Sequence, residues 1–176
     1  NLAGADFQEA DLYFANFQHA NLQAAQLQKA NLRGAYLDGA QLQGAQLQGA
    51  TLRGARLGQA ILTNAQLGGA DLSGASFEGA DWRGAVVDDT TQLDPKWRTV
   101  WAIVNAPTAD RSLAGLDLVG ANLQGGLLRG ADLRHANLAH ANLSAVDLTG
   151  ANLAGAYLRQ TILDAATQLP PKWQTV

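Results

Sequence analysis

Three histidines and fifteen acidic residues are the side chains of this sequence best suited to catalysis or metal binding. His19, His135 and His140 share one position of a five-residue repeat, which places them at separate, solvated corners. Zinc needs several ligands that converge on one point, and a general acid and base need a cleft that shifts their pKa values. The pattern offers neither, so we expect no catalytic residue, no metal site and no cofactor.

A more promising set consists of residues spaced by twenty. Tyr13, Arg33 and Arg53 are followed by Ser73 at this interval, and a coil of about twenty residues would stack them in one column. Arginine and tyrosine are the types that most often dominate protein interfaces. The column therefore predicts an interaction face for an anion or an acidic partner. An ordinary solvated face with two like charges is the alternative interpretation.

Glutamines form a second set of columns. Gln8, Gln28 and Gln48 recur at the same interval beside a parallel series. That series is Gln26, Gln46 and Gln66. Amide ladders stabilise stacked strands through side-chain hydrogen bonds, which is the interpretation we favour over a recognition code.

The element that must position these residues is set by a period of five. A large apolar residue recurs at every fifth position from Leu2 to Val87 and again from Leu113 to Leu163. In the first run alanine stands two residues before it from Ala5 to Ala85. On an α-helix such residues would advance by about 500° per repeat, and on a strand they would alternate between faces. A chain that keeps them all inside must therefore turn once per repeat.

Four turns of about 90° close a square coil, and such coils stack at about 4.8 Å with the right-handed sense of parallel crossovers. The central apolar residue and the alanine before it fill the interior, where each leucine contributes about 1.5–3 kcal/mol. Glycine, common two residues after the centre, suits the corner. Predicted core residues are Leu22, Leu42, Leu62, Leu133 and Leu153.

The repeated pattern A(D/N)LxG resembles the pentapeptide-repeat family, in particular its cyanobacterial members. The resemblance covers nearly all of the chain in many in-phase copies. It implies an all-β fold, a right-handed quadrilateral parallel β-helix, to which we add a short α-helical insertion or cap. A filled, convex solenoid of this kind is expected to act as a non-catalytic scaffold for macromolecular interaction.

One ending appears twice in the chain. Residues 90–100 read TTQLDPKWRTV and residues 166–176 read ATQLPPKWQTV. This predicts two units, 1–100 and 101–176, in an arrangement similar to two adjacent Nostoc pentapeptide-repeat proteins joined in one chain. We expect the second unit to resume stacking on the axis of the first as one continuous rod; two rods joined by a hinge are the alternative.

Each ending is predicted to form a cap over the apolar interior of its unit. In the first copy Asp94 suits a helix N-cap and Pro95 the first helical position, so we expect a helix over residues 95–105 and a linker over 106–112. Pro171 and Trp173 belong to the second cap. The covering face of the helix is predicted to contain Trp97, Val100 or Trp101, and Val104.

The composition limits the classes of binding partner that we expect. The net charge of −3 gives no case for direct nucleic-acid binding, and no apolar run is long enough to span a membrane. We expect an unidentified protein partner and a cytoplasmic location. The first coil, from Asn1, looks uncapped, which predicts end-to-end or homodimeric association there, and the absence of methionine indicates that the translated product begins earlier.

The family resemblance implies one alternative function. Some pentapeptide-repeat proteins imitate duplex DNA, occupy DNA gyrase and protect it from quinolones, through an acidic surface and dimerisation. Here residues 1–100 contain ten acidic and seven basic residues and residues 101–176 contain five of each. This near balance makes a DNA mimic the less favoured interpretation.

Overall fold

The computed structural model describes residues 1–106 and 111–173. The chain divides into two compact units, Asn1–Arg98 and Thr99–Val176. Each unit is a right-handed, four-sided parallel β-helix, which confirms the predicted fold class. Its strands are reduced to single-residue parallel bridges, such as Asn21 to Gln41 in the first unit.

Every coil is held to the next by the same backbone hydrogen bonds. Leu22 N–H donates to the Gln41 carbonyl at 2.8 Å, and the turn inside the repeat closes at 3.1 Å from Ala25 N–H to the Leu22 carbonyl. The second central residue of each turn has a left-handed backbone, with φ of 66° at Gly34 and 58° at His19. This is the type II geometry that favours glycine, and an ordinary residue there costs about 1–2 kcal/mol.

Leucine and alanine fill the interior of both units. The first complete leucine column begins at Leu22, which is fully buried, and most of the central residues that follow are buried as well. The prediction is wrong at the endings, where no further coil covers the last repeats: Val87 and Leu158 are half-buried, and Leu163 is 47% exposed. In the first coil the central residues are only half-buried. Association through that coil stays a prediction. The predicted core residues Leu22, Leu42, Leu62, Leu133 and Leu153 are all at most 1% exposed.

Both units end in the same way, by accommodating one extra residue. Asp71 pairs with Gln92 and Asp147 pairs with Gln168, so each final bridge spans one residue more than the others. In the first ending the hydroxyl of Thr91, which replaces the inward alanine, donates to the Leu67 carbonyl at 2.9 Å. The second ending repeats this contact from Thr167 to Leu143 at 3.0 Å.

Asp88 completes the first ending with its side chain. Its carboxylate accepts hydrogen bonds from Gly69 N–H at 3.2 Å and from the N–H groups of Thr90 and Thr91, each at 3.0 Å. The Gly69 bond takes the place of the backbone bond that the next coil would supply. The Thr90 hydroxyl and the Gly69 N–H lower the pKa of Asp88 to about 2, because they favour the charged carboxylate.

Helix α1, Pro95–Asn105, follows this ending. The Asp94 carbonyl accepts the first helical hydrogen bond, from Arg98 N–H at 3.0 Å, and the Asp94 carboxylate lies 3.3 Å from Gly74 N–H. Within the first unit Trp97 is 4% exposed and packs edge-on against Phe77, with ring centroids 5.8 Å apart.

The covering face of α1 differs from the prediction at its last position. Val100 and Ile103 are buried, whereas Val104 and Trp101 are half-buried. The reason is the contact of Ile103 with Gly126, where an added Cβ would lie 2.8 Å from Ile103 Cγ2. Gly126 replaces the usual inward alanine because the isoleucine fills that space.

The remaining connections are short. Of the predicted linker 106–112, residues 107–110 lie outside the described residues, and stacking already resumes at Ser112, which pairs with Asp132. The linker is therefore shorter at its C-terminal end than predicted. The second ending forms one 3-10 turn, Pro171–Trp173, in which Trp173 is half-buried.

A matched pair of alanine substitutions tests which side chains build the core. Leu47 is fully buried, and its neighbour Gln48 is exposed. We expect Leu47→Ala to lower the free energy of unfolding by about 2–5 kcal/mol, because it removes buried methyl groups and leaves a cavity. Gln48→Ala should change it by less than about 0.5 kcal/mol. Urea unfolding followed by circular dichroism measures both, and equal effects would contradict the assigned core.

The pKa of Asp88 predicts a loss of stability in acid. Because folding lowers this pKa from an ordinary value near 3.9, the carboxylate stabilises the fold above about pH 4, and the contribution is lost as the pH falls towards 2. Asp88→Asn keeps an acceptor oxygen but removes the charge. Its melting temperature should therefore fall less between about pH 5 and pH 2 than that of the parent chain. Asp89→Asn is the control and should follow the parent; if it behaves like Asp88→Asn, the assignment is wrong.

Candidate interaction surface

The bridge register brings the predicted interaction residues into one column. Asn31 pairs with Thr51, so that Arg33 and Arg53 lie at the same corner of consecutive coils, about 4.8 Å apart along the stack. Tyr13 occupies this corner one coil earlier, because Asp11 pairs with Asn31 in the same register. All three side chains are exposed.

Phe14 belongs to this surface, although the repeat pattern did not point to it. Tyr13 and Phe14 are each 52% exposed, and their rings meet edge-on with centroids 4.3 Å apart. Phe14 stands at the left-handed corner position, with φ of 52°, where the repeat usually has glycine. A phenylalanine outside the central position was the signal available in the sequence.

The Phe14 ring fits against the next coil because residue 34 is glycine. An added Cβ at Gly34 would lie 2.5 Å from Phe14 Cε1, whereas at Gly54, one coil further, nothing lies within 4 Å. His19 is placed over Gly39 in the same way, with Nδ1 2.4 Å from the added Cβ position. Phe14 and His19 thus each lie over a glycine at the same corner of the next coil.

Two arginines elsewhere show what a corner arginine does when its repeat supplies a carboxylate. In Asp81-Trp82-Arg83 the guanidinium lies 2.9 Å and 2.5 Å from the two carboxylate oxygens of Asp81. Arg134 binds Asp132 in the same bidentate way, at 2.9 Å and 2.7 Å. In each pair the guanidinium group is bound by a carboxylate of its own repeat.

Arg33 and Arg53 have no such partner in their own repeats, because Asn31 and Thr51 occupy the position that Asp81 takes beside Arg83. Arg53 has a long contact of 3.8 Å with Asp71, and its side chain is 60% exposed. Among the residues that the structure describes, Arg33 has no ion pair within 4.0 Å. These two guanidinium groups are available to an external anion.

The next face of the same coils contributes a second arginine and tyrosine. Tyr36 pairs with Arg56 across one coil step, and the Arg56 guanidinium lies 5.7 Å from the centre of the Tyr36 ring. Arg56 Nε also lies 3.2 Å from the Asp38 carboxylate. We missed this pair in the sequence because we looked for arginine and tyrosine only in the column that contains Arg33.

Beyond Arg56 the surface has a shallow depression of about 380 Å³. It exists because Gly58 has no side chain, and a Cβ there would lie 2.9 Å from Asp38 Oδ1. Its rim carries Asp38 and Glu78 as well as His19. Within residues 1–106 and 111–173, no three histidine or acidic side chains are grouped closely enough to hold a metal ion.

The glutamine columns bond to one another across coils. Gln8 Nε2 donates to Gln26 Oε1 at 2.8 Å, and Gln28 Nε2 donates to Gln46 Oε1 at 2.6 Å. The amides are therefore engaged in holding successive coils together, which supports the structural interpretation of this face. For the described part of the chain, no helix has the length and apolar character that crossing a membrane requires.

The sequence of this chain matches a protein-family model. The model for pentapeptide repeats matches eight copies, over residues 1–23, 15–54, 40–79, 52–87 and 127–164. The chain belongs to the pentapeptide-repeat family. No curated protein sequence matches it.

Three solved pentapeptide-repeat structures are similar to this chain to different degrees. HetL from the cyanobacterium Nostoc sp. strain PCC 7120, a protein involved in the regulation of heterocyst differentiation, is 29% identical, with a TM-score of 0.50 over 94% of this chain and 81% of HetL. The Nostoc protein alr5209 is 33% identical over 51% of this chain and 84% of its own length, with a TM-score of 0.25. QnrB1, a plasmid-mediated fluoroquinolone resistance protein, is 19% identical over 91% and 82%, with a TM-score of 0.48.

The fit of Phe14 over Gly34 predicts a difference between two glycine substitutions. Gly34→Ala and Gly54→Ala impose nearly the same backbone strain, since φ is 66° and 65°. Only Gly34→Ala also displaces an aromatic ring. We expect it to lower the free energy of unfolding by about 1–3 kcal/mol more than Gly54→Ala does.

The comparison is repeated in a chain that carries Phe14→Ala. There the two alanine substitutions should cost the same, because the ring is gone. Denaturant unfolding gives the four free energies, and a difference that persists without the ring would refute the corner fit.

Proposed function

We propose that this chain is a non-catalytic scaffold that binds another protein along the face that contains Tyr13, Arg33 and Arg53. The observation that carries the proposal is the contrast among arginines: Arg83 is satisfied by its own repeat, whereas Arg33 and Arg53 are not. Exposed aromatic and arginine side chains of this kind form the energetic centres of protein interfaces. Because leucine and alanine fill the interior, we expect binding to take place on the outer faces.

The likeness to HetL supports a regulatory form of this binding. HetL is involved in the regulation of heterocyst differentiation, and at 29% identity it is matched over most of both chains. We propose that this chain acts by engaging a protein whose activity it modulates.

The distribution of charge favours this function over imitation of DNA. Residues 12–70 contain Lys29, Arg33, Arg53 and Arg56 against Asp38 alone, a net charge of 4 − 1 = +3. The other nine acidic residues of the first unit lie towards its two ends. A DNA mimic needs a continuous acidic surface, and the middle coils present the opposite charge.

Charge reversal of the two corner arginines tests the proposed function. We expect Arg33→Glu with Arg53→Glu to weaken capture of the chain's protein partner from native lysate by at least about tenfold, because two interface anchors are lost. Label-free quantitative mass spectrometry measures the capture, and thermal melting shows that folding is retained.

Arg129→Glu with Arg159→Glu is the matched control, since it makes the same charge change in the second unit. It should leave capture unchanged. An equal loss in both double variants would indicate a general charge effect and contradict the assigned face. So would inhibition of gyrase supercoiling that is insensitive to Arg33 and Arg53.

A further inference from the structure

One corner of the first unit combines cationic, aromatic and bare backbone positions. Arg33-Gly34 and Arg53-Gly54 are the central residues of stacked turns, and the Tyr36–Arg56 pair follows on the adjoining face. We call these six residues the arginine corner. Gly54 has no atom within 4 Å of its missing Cβ, so that a partner backbone can approach between the arginines and the tyrosine.

We propose that the arginine corner binds a short, extended acidic segment of a partner protein. This inference rests on the proposed protein-binding function and names the chemistry that the partner presents. Guanidinium groups bind carboxylates through paired, charge-assisted hydrogen bonds. The same chain forms such pairs internally at Arg83 and Arg134, where Asp81 and Asp132 supply the carboxylate.

The ion pairs within the arginine corner leave an excess of positive charge. Arg56 is held by Asp38 at 3.2 Å, which fixes its guanidinium over the Tyr36 ring. Arg53 is only distantly paired with Asp71, at 3.8 Å. Together with Arg33, it gives two neighbouring guanidinium groups that lack a close carboxylate.

The length of this positive surface favours a peptide over a nucleic acid. Asp11 lies one coil before Asn31, and Asp71 lies one coil after Thr51, so acidic residues border the corner at both ends of the stack. The cationic stretch between them covers two coils, about 10 Å, which is the length of about three extended residues. Duplex DNA has a charge about every 1.7 Å of its axis, and its phosphates would extend over the acidic coils.

An extended strand also fits the contacts that the corner offers. Alternate side chains of such a strand lie on one side, so that two acidic residues can reach Arg33 and Arg53. An apolar residue can then contact Tyr36 or the Tyr13–Phe14 pair, whose rings are half exposed.

The experiment uses the full chain and a fluorescent synthetic peptide in which Glu alternates with Leu. We expect saturable binding in fluorescence anisotropy, with a dissociation constant below about 1 mM at low salt that rises with ionic strength. The same peptide with Gln in place of Glu should not bind. Amide NMR shifts should change at Gly34 and Gly54 and not in the second unit.

Two variants make the test specific to the corner. Arg33→Gln with Arg53→Gln should raise the dissociation constant of the Glu peptide by about tenfold or more. Thr51→Asp retains both arginines but places a carboxylate two residues before Arg53, as Asp81 stands before Arg83. It should raise the dissociation constant of the Glu peptide as well. Arg129→Gln with Arg159→Gln should have no effect.

Absence of peptide binding, or binding that the corner variants do not reduce, would overturn the inference. So would duplex DNA that binds at the same residues more tightly than the Glu peptide. If the peptide fails while charge reversal at Arg33 and Arg53 still abolishes partner capture, the acidic-segment inference is wrong and the protein-binding function stands. If capture is also unaffected, both are wrong.

Discussion

In the β-helix each repeat residue lies over its equivalent in the next coil, because the same backbone hydrogen bonds recur at each step. Leu22 N–H meets the Gln41 carbonyl, and Leu42 N–H meets the Ile61 carbonyl, both at 2.8 Å. Because the step is about 4.8 Å, side chains at equivalent positions of consecutive coils are close neighbours. The stacking therefore decides where the leucines go, how the corners turn and which outer residues become neighbours.

The corners show how strictly this constraint operates. Each turn needs a left-handed residue, and a side chain placed there must lie against the corner of the following coil. Phe14 fits because residue 34 is glycine, and His135 fits over Gly155, where an added Cβ would be 2.5 Å from its Nδ1. Gly34 and Gly155 thus satisfy two requirements, a backbone one at their own corner and a steric one from the coil before.

The period of five was sufficient to predict the fold and most of the buried columns, and the local signals of Asp94 and Pro95 were sufficient to predict the start of α1. The side of α1 that becomes buried was predicted wrongly at Val104. Trp97, Val100 and Val104 share a face on an ideal helix, but Ile103 is favoured by the space that Gly126 leaves in the second unit. The closing hydrogen bonds of Asp88 depend on the one-residue insertion of that ending, whose backbone course the repeat pattern does not specify.

The surface was harder to predict, because its chemistry depends on combinations across the columns. Two arginines in equivalent positions, Arg53 and Arg83, differ in what they can bind because one follows Thr51 and the other follows Asp81. A carboxylate two residues before the arginine binds it internally, and a neutral residue leaves it exposed, which is the state that the proposed function requires. In a solenoid with a uniform interior, a single outer substitution is enough to replace an internal ion pair by an exposed charge. The regularity of the core thereby frees the outer columns to vary in function without disturbing the fold.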